Sequence, residues 1–407
     1  MNTLDYSLAS PCPAAVSAPA AAKTVFRLLA SLRHGSLDLR LPEGGSLPFG
    51  EGVPVAALQL NDWSLFDAVL AQGDIGLAES YIDGAWDSPD LAGLLTLFAE
   101  NRQALSQAVY GNFFRLLLAR IKHGLNANTR KGSRRNIMAH YDLGNDFYRE
   151  WLDPTMSYSA ALYADAEDGR MDSAQQAKYR RILRRLDVRP GDRILEIGCG
   201  WGGFAELAAR EAGAEVHGIT LSPAQLEWAQ ARMRRAGLEN QVKLELVDYR
   251  DLTGSYTHIV SIEMFEAVGE RWWPTYFDAL ARLLAPEGRA LIQTITIRDD
   301  LFARYRRGTD FIQQHVFPGG MLPSPSVFSQ HAARAGFSVR DAYAFGDGYA
   351  RTLSGWATAF EKSWPAIEQL GFDERFRRLW RFYLAYCEAG FRSGCTDVYQ
   401  FELARKT

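Results

Sequence analysis

From Arg193 onward, short runs of aliphatic and β-branched residues alternate with stretches whose apolar positions recur every three or four residues. The runs predict strands at Arg193–Ile197, Glu215–Thr220, Lys243–Val247, His258–Ile262, Arg289–Thr294 and Ser338–Tyr343, with helices between them and a last strand at Val398–Ala404. Such alternation predicts an α/β domain, a doubly wound parallel sheet covered by helices on both faces. Residues 350–393, rich in Trp, Phe, Leu and Arg, read as a helical insertion before the last strand. The front of the chain has another texture. Leu37–Leu41 alternates like a strand, Gly and Pro punctuate Pro42 to Pro48, and helical patterns follow at Ser64–Gln72 and Pro89–Glu100, so a smaller mixed domain is expected there. Residues 7–22 are rich in Ala, Pro and Ser, and the prolines interrupt any helix, which predicts a disordered tail. These changes divide the chain into 1–22, 23–122, 123–136 and 137–407, with no internal repeat.

Composition narrows the function classes. The chain has 407 residues, 47% hydrophobic and 23% charged, which is the make-up of a folded, water-soluble protein. Its 45 basic and 48 acidic residues leave a net charge of -3, too balanced for a nucleic-acid partner to be expected. Four cysteines (Cys12, Cys199, Cys387, Cys395) show no zinc spacing and cannot staple so long a chain, so no metal is expected. With no membrane-length apolar run and no signal-peptide pattern, a cytoplasmic location is expected. Charge is uneven locally. Residues 101–136 carry Arg102, Arg115, Arg120, Lys122, Arg130, Lys131, Arg134 and Arg135 with no Asp or Glu, next to an apolar stretch from Val109 to Ile121. This is either a core helix followed by a solvated linker, or a segment that rests on an anionic membrane, where each basic group contributes ~1 kcal/mol.

Chemistry concentrates at Leu195-Glu196-Ile197-Gly198-Cys199-Gly200-Trp201-Gly202-Gly203, which closes a strand and opens a helix. Gly198, Gly200 and Gly203 alone also satisfy the dinucleotide fingerprint. A dinucleotide site wants an acid at the end of the second strand, but that strand here ends Ile219-Thr220-Leu221-Ser222, and the acid comes after the third, as Asp248-Tyr249. An acid before the turn, Glu196, and Asp248 placed to accept from an adenine amino group resemble the class I S-adenosylmethionine methyltransferases.

From His140-Tyr141-Asp142-Leu143-Gly144-Asn145-Asp146-Phe147 onward the chain resembles the cyclopropane-fatty-acyl-phospholipid synthases and mycolic acid methyltransferases. The likeness runs through Tyr158-Ser159, Ala174-Gln175-Gln176, the glycine turn, Asp248 to Asp251, Met264-Phe265-Glu266, Phe317 to Gly320, Leu322-Pro323-Ser324 and Tyr349. It extends to Gly76–Gly84 in the front domain, covering residues 65–407. The resemblance implies a Rossmann-like methyltransferase domain over 137–407 behind a lipid- or membrane-associating domain, peripheral attachment to the inner face of the membrane, and a homodimer. The cofactor it implies is S-adenosyl-L-methionine, with Tyr158 and Ser159 at the methionine end, Gly198, Gly200 and Gly202 along the turn, Thr220, Ser222 and Gln225 near the ribose, and Asp248 and Tyr249 at the adenine.

The implied reaction is attack of a cis double bond of an unsaturated phospholipid acyl chain on the sulfonium methyl. It leaves a carbocation that aromatic faces stabilise, with Tyr141, Phe265, Tyr349 and the tryptophans of the insertion as candidates. In the cyclopropane synthases the base is a bicarbonate held by a Cys, a Glu, a His, a Tyr and a backbone group. Glu266, Tyr349 and Ile295 match three of these positions, whereas Ala160 and Gln293 replace the Cys and the His, which argues against bicarbonate here. A small residue of the family is replaced by Glu263. Glu263 either takes over as the base, beside Glu266 and Tyr349, or points away and pairs with an Arg. Three products fit the same first step: a cyclopropane, a methyl-branched alkene, or a hydroxylated methyl branch. A methyltransferase of a soluble small molecule and a non-catalytic lipid binder on the same fold are the competing classes.

Overall fold

The computed structural model describes residues 18–105, 143–166 and 168–406. Two compact units form, Met1–Leu118 with Glu374–Ala389, and Ala119–Asp373 with Gly390–Thr407. Most of the basic, apolar segment predicted around 101–136 lies outside the described residues, as does Tyr141.

In the first unit, strands β1 (Ser36–Arg40), β2 (Ser46–Gly50), β3 (Val55–Leu60) and β4 (Trp86–Asp87) form a sheet in the order β2-β1-β3-β4. Alternation places Leu37 and Leu39 inward from β1, where both are buried. The helix Ala20–Leu29 begins inside the stretch expected as a disordered tail, because Ala22, Val25 and Leu29 form a buried stripe that outweighs the preceding prolines. From the helix Glu374–Arg392, Arg378 joins this unit through its guanidinium. It donates to the Tyr81 and Trp86 carbonyls (2.6 and 2.9 Å) and to Asp87 (2.9 Å), and it lies 4.1 Å from the Tyr81 ring centroid.

The second unit is built on a seven-stranded sheet of β5 (Arg193–Ile197), β6 (Glu215–Thr220), β7 (Val242–Leu246), β8 (Tyr256–Ile262), β9 (Leu284–Ile297), β10 (Phe337–Ala344) and β11 (Thr396–Arg405), ordered β10-β11-β9-β8-β5-β6-β7. β5 to β9 run parallel, while β11 is antiparallel to both neighbours, which corrects the all-parallel expectation. The cause is where the chain re-enters: Tyr399 pairs with Ala344 at the end of β10 and Thr396 with Ile297 at the end of β9, so the strand can only run back. The helices Met171–Leu186, Gly203–Ala212 and Pro223–Ala236 pack Tyr179, Ile182, Phe204 and Met233 into one core. The helices Trp273–Leu283 and Pro325–Arg334 bring Tyr276, Phe277 and Phe328 into the other. With both faces covered, a ligand meets this sheet at the carboxyl ends of β5, β6 and β8. Among the described residues no helix is long and apolar enough to cross a membrane.

Candidate active site

The turn after β5 is tied to β6 by the Gly198 and Cys199 N–H groups, both donating to the Ile219 carbonyl at 2.9 Å. Gly198 and Gly200 hold φ of 86° and 50°, a region L side chains avoid. A Cβ on Gly198 would come within 3.0 Å of Met264, whereas one on Gly200 would meet nothing within 4 Å, so the backbone at Gly200 borders open space. Beneath the turn, Glu196 is buried, its Oε2 has no hydrogen-bond partner among the described residues, and burial holds its pKa well above the carboxylate range.

Around this turn the other expected residues gather in three groups. Thr220, Ser222 and Gln225 are buried together: Thr220 Oγ1 donates to Gln225 Oε1 (3.0 Å), and Ser222 caps the helix Pro223–Ala236 by accepting from Gln225 N (3.3 Å). Asp248 is gripped by Arg250, whose N and Nε reach Oδ1 (3.0 and 2.8 Å) and whose guanidinium reaches Oδ2 (2.5 Å). Its neighbour Tyr249 packs edge-on against Tyr276 and is pushed up to about 12 by burial. Tyr158 lies among the rings of Tyr148, Trp151 and Trp356, with centroids 5.4, 5.6 and 5.3 Å away.

Ser159 reveals a residue that sequence reasoning missed. Its Oγ accepts from Lys178 Nζ (2.5 Å) and its carbonyl accepts from Gln175 Nε2 (2.8 Å), while Lys178 also donates to Gln175 Oε1 (2.6 Å). Lys178 is fully buried, which lowers its pKa to about 8 against the pull of Glu263, Asp153 and Glu196. The available signal was helical spacing: Gln175 and Lys178 occupy the same buried face as Ala174, Ala177 and Ile182.

The two carboxylates after β8 do come together with Tyr349. Glu263 accepts at Oε1 from Ala160 N (2.8 Å) and Gln293 Nε2 (2.7 Å), and at Oε2 from the Tyr349 hydroxyl (2.6 Å). It therefore faces inward, and among the described residues it forms no salt bridge to an arginine. Burial raises its pKa, opposed by Lys178 and these hydrogen bonds. Glu266 accepts from Ile295 N (2.5 Å), has a buried Oε2 without a hydrogen-bond partner among the described residues, and is pushed up to about 8 by burial and then by Glu263. Of the aromatic candidates, Trp356 stands edge-on to Tyr349 at 6.1 Å. Phe265 instead belongs to the core, fully buried among Trp273, Tyr276, Phe277 and Phe328, which removes it from the group expected to face a cation.

The profile of the mycolic acid cyclopropane synthetase family matches residues 128–401. The chain belongs to this family. It is 40% identical over 343 residues to the tuberculostearic acid methyltransferase of Mycobacterium tuberculosis, covering 82% of this chain and 79% of that protein. It is 36% identical over 358 residues to the cyclopropane-fatty-acyl-phospholipid synthase of Escherichia coli, covering 87% and 89%. The crystal structure of the mycolic acid cyclopropane synthase CmaA1 complexed with SAH and CTAB superposes with a TM-score of 0.63 at 32% identity, over 67% of this chain and 98% of that one. The protein is thus an S-adenosylmethionine-dependent methyltransferase of the fatty-acyl-modifying family. Its residues fit that cofactor on two counts, the open face at Gly200 and the buried Glu196 oxygen still lacking a donor.

Proposed function

We propose that this methyltransferase modifies the cis double bond of unsaturated acyl chains in membrane phospholipids, and that Glu263 takes the proton that bicarbonate takes in the cyclopropane synthases. The observation that carries this reading is the set of donors around Glu263. Ala160 N, Gln293 Nε2 and the Tyr349 hydroxyl hold its carboxylate where the resemblance would put the bicarbonate.

Glu196, the turn at Gly198, Gly200 and Gly202, Thr220, Ser222, Gln225, Asp248 and Tyr249 would hold the cofactor, with Tyr158 and Ser159 at its methionine end. When bound, S-adenosylmethionine supplies an electrophilic methyl group. The residues of this chain then govern the cation left on the acyl chain. Tyr349 and Trp356 offer it π faces, each worth ~0.5–2 kcal/mol where water is excluded. Glu263 is the acceptor for a proton of the methylated cation. Burial raises its basicity, while Lys178 and three donors act in the opposite direction. Loss of that proton closes a ring or leaves a methyl-branched alkene, depending on which bond forms; water has no part in either ending. The Escherichia coli and Mycobacterium tuberculosis relatives are named for the ring and for a methylated fatty acid. A relative complexed with both SAH and CTAB, a long-chain cation, supports the pairing of this cofactor with an acyl chain.

Attachment to an anionic membrane surface through the basic stretch Lys122–Arg135 belongs to the same reading. The test is incubation with labelled cofactor and cis-unsaturated phospholipid vesicles, with and without bicarbonate, followed by mass spectrometry of the acyl chains. A one-carbon gain unaffected by bicarbonate is expected. Strong stimulation by bicarbonate, or label only in soluble small molecules, refutes the reading.

A further inference from the structure

Glu263 stands at the end of a line of side chains that crosses β9 and β11 and ends at Arg181 on the helix Met171–Leu186. Gln293 on β9 lies opposite Gln400 on β11 and next to Ile262 on β8. Arg181 NH1 donates to Gln400 Oε1 (2.5 Å), Gln400 Nε2 donates to Gln293 Oε1 (3.0 Å), and Gln293 Nε2 donates to Glu263 Oε1 (2.7 Å). Both glutamines are buried, at 0% and 1% exposure, so no bulk water substitutes for a missing partner. Arg181 is anchored in turn by Asp341 (2.9 Å) and lies 4.0 Å from the Tyr343 ring centroid.

The direction of this line is not free. A guanidinium has donors and no acceptor, so the Gln400 oxygen must face Arg181 and its amide nitrogen must face Gln293. The same constraint then turns the Gln293 oxygen toward Gln400 and its nitrogen toward Glu263. Turning either amide over would set N–H against N–H in a buried place and leave donors without acceptors. The Ala160 backbone N–H, which cannot reverse, takes the other side of the same oxygen at 2.8 Å. Glu263 Oε1 thus meets two donors that stay donors. Oε2 differs: its partner, the Tyr349 hydroxyl at 2.6 Å, can donate to it or accept from it.

We infer that Arg181 and Gln400 are positioning residues that act through Gln293 to keep Glu263 Oε1 a permanent acceptor, so that the substrate proton is taken only at Oε2, where Tyr349 turns to receive it. The inference rests on Glu263 being the base. In the step itself the C–H bond of the methylated cation breaks, its electron pair closes the new carbon–carbon bond, and the proton goes to Oε2. The Tyr349 hydroxyl changes from donor to acceptor, and Oε1 keeps both of its hydrogen bonds. Other groups acting on the carboxylate are Lys178 from the helix Met171–Leu186 and Glu266 from the loop after β8. Those near Arg181 are Asp341 and Arg185, the latter 3.4 Å from Asp341.

The experiment compares Arg181→Met, Arg181→Lys and Gln400→Leu with the parent enzyme. The readouts are the pH profile of kcat, KM for S-adenosylmethionine, and the infrared carboxyl band of ¹³C-glutamate-labelled protein, assigned by its loss in Glu263→Gln. Cutting the line frees Gln293 and destabilises the carboxylate. Both Arg181→Met and Gln400→Leu should therefore move the acid limb and the infrared titration upward by about half a pH unit or more, roughly threefold in ionised fraction, with KM unchanged. Arg181→Lys, which still donates, should restore most of the shift. Gln400→Leu keeps the positive charge while breaking the line. A shift in Arg181→Met alone would mean that charge acts directly and would overturn the proposal, as would no shift in either. Should one variant fail to fold, the other breaks the line on a separate element. If Glu263→Gln stays active, the reading of Glu263 as the base falls, while the infrared titration still reports whether the donor line governs that carboxylate.

Discussion

Replacing Glu263 by Gln separates the chemistry of this site from its architecture. The amide oxygen can take the place of Oε1, facing Ala160 N and Gln293 Nε2, and its NH2 then faces Tyr349, whose hydroxyl turns from donor to acceptor. All three hydrogen bonds survive, so unfolding free energy should change by no more than about 1 kcal/mol, the net worth of one such bond. The proton-accepting lone pair does not survive, and loss of a general base costs on the order of 10²–10⁴-fold. A second effect follows from charge. Glu266 is held up at about 8 by burial and then by Glu263, so its pKa should fall when that neighbour becomes neutral. The assay is single-turnover conversion of cis-unsaturated phospholipid, with cofactor affinity by calorimetry and unfolding by urea on the same preparations. Turnover within about tenfold of the parent, ~1.4 kcal/mol, with the same product would refute the assignment of Glu263 as base.

Gly200→Val should abolish binding of S-adenosylmethionine in calorimetry, because a branched side chain at φ 50° is strained and fills the open face of the turn; affinity within about tenfold of the parent would count against that site. Glu266→Gln should reduce the pH dependence of stability: between its ordinary 4.5 and its folded value of about 8 the native state keeps a proton that the unfolded chain has released, so stability falls as pH rises through that window, and urea unfolding on either side should show a smaller decline in the variant than in the parent. Replacing Lys122, Arg130, Lys131, Arg134 and Arg135 by Gln should weaken co-sedimentation with anionic vesicles and reduce its salt dependence while cofactor affinity is unchanged; undiminished binding would make the segment a linker only.

Strands β5 and β6 were readable to the residue, since each sets buried aliphatic residues (Ile194, Leu195 and Ile197; Val216 and Ile219) between turn residues. β9 was read short. Pro286 and Gly288 look like breakers, yet its 14 residues run from Leu284 to Ile297. The reversal of β11 was not readable, because strand direction follows from where the chain re-enters the sheet rather than from local pattern. The inward face of Glu263 was one of two options open to the sequence, and what settles it is a partner on each of three distant segments, Ala160, Gln293 and Tyr349. Lys178 and Gln400 carried the one clue available to a reader of sequence, a polar residue at a core position. Arg181 gave none, since its role depends on a contact 219 positions away. Segment Glu374–Ala389 read as part of an insertion near the last strand, but its contacts, among them those of Arg378 to Tyr81, Trp86 and Asp87, of Tyr386 to Asp74 and of Phe382 to Tyr81 and Trp86, tie it to the N-terminal unit.

Glu263 has a left-handed backbone, with φ of 49°. A side chain there costs about 1–2 kcal/mol that glycine does not incur. The genetic code links the two residues by one nucleotide, since either glutamate codon becomes a glycine codon when its middle base changes from A to G. The path from glutamate to glycine therefore relaxes the main chain, and the return path strains it. Along the relaxing path, Ala160 N, Gln293 Nε2 and the Tyr349 hydroxyl are left facing an anion-sized space with no carboxylate in it. Whatever keeps a glutamate at this position has to outweigh that strain, and the three hydrogen bonds gathered on its carboxylate are what the relaxed chain would forfeit.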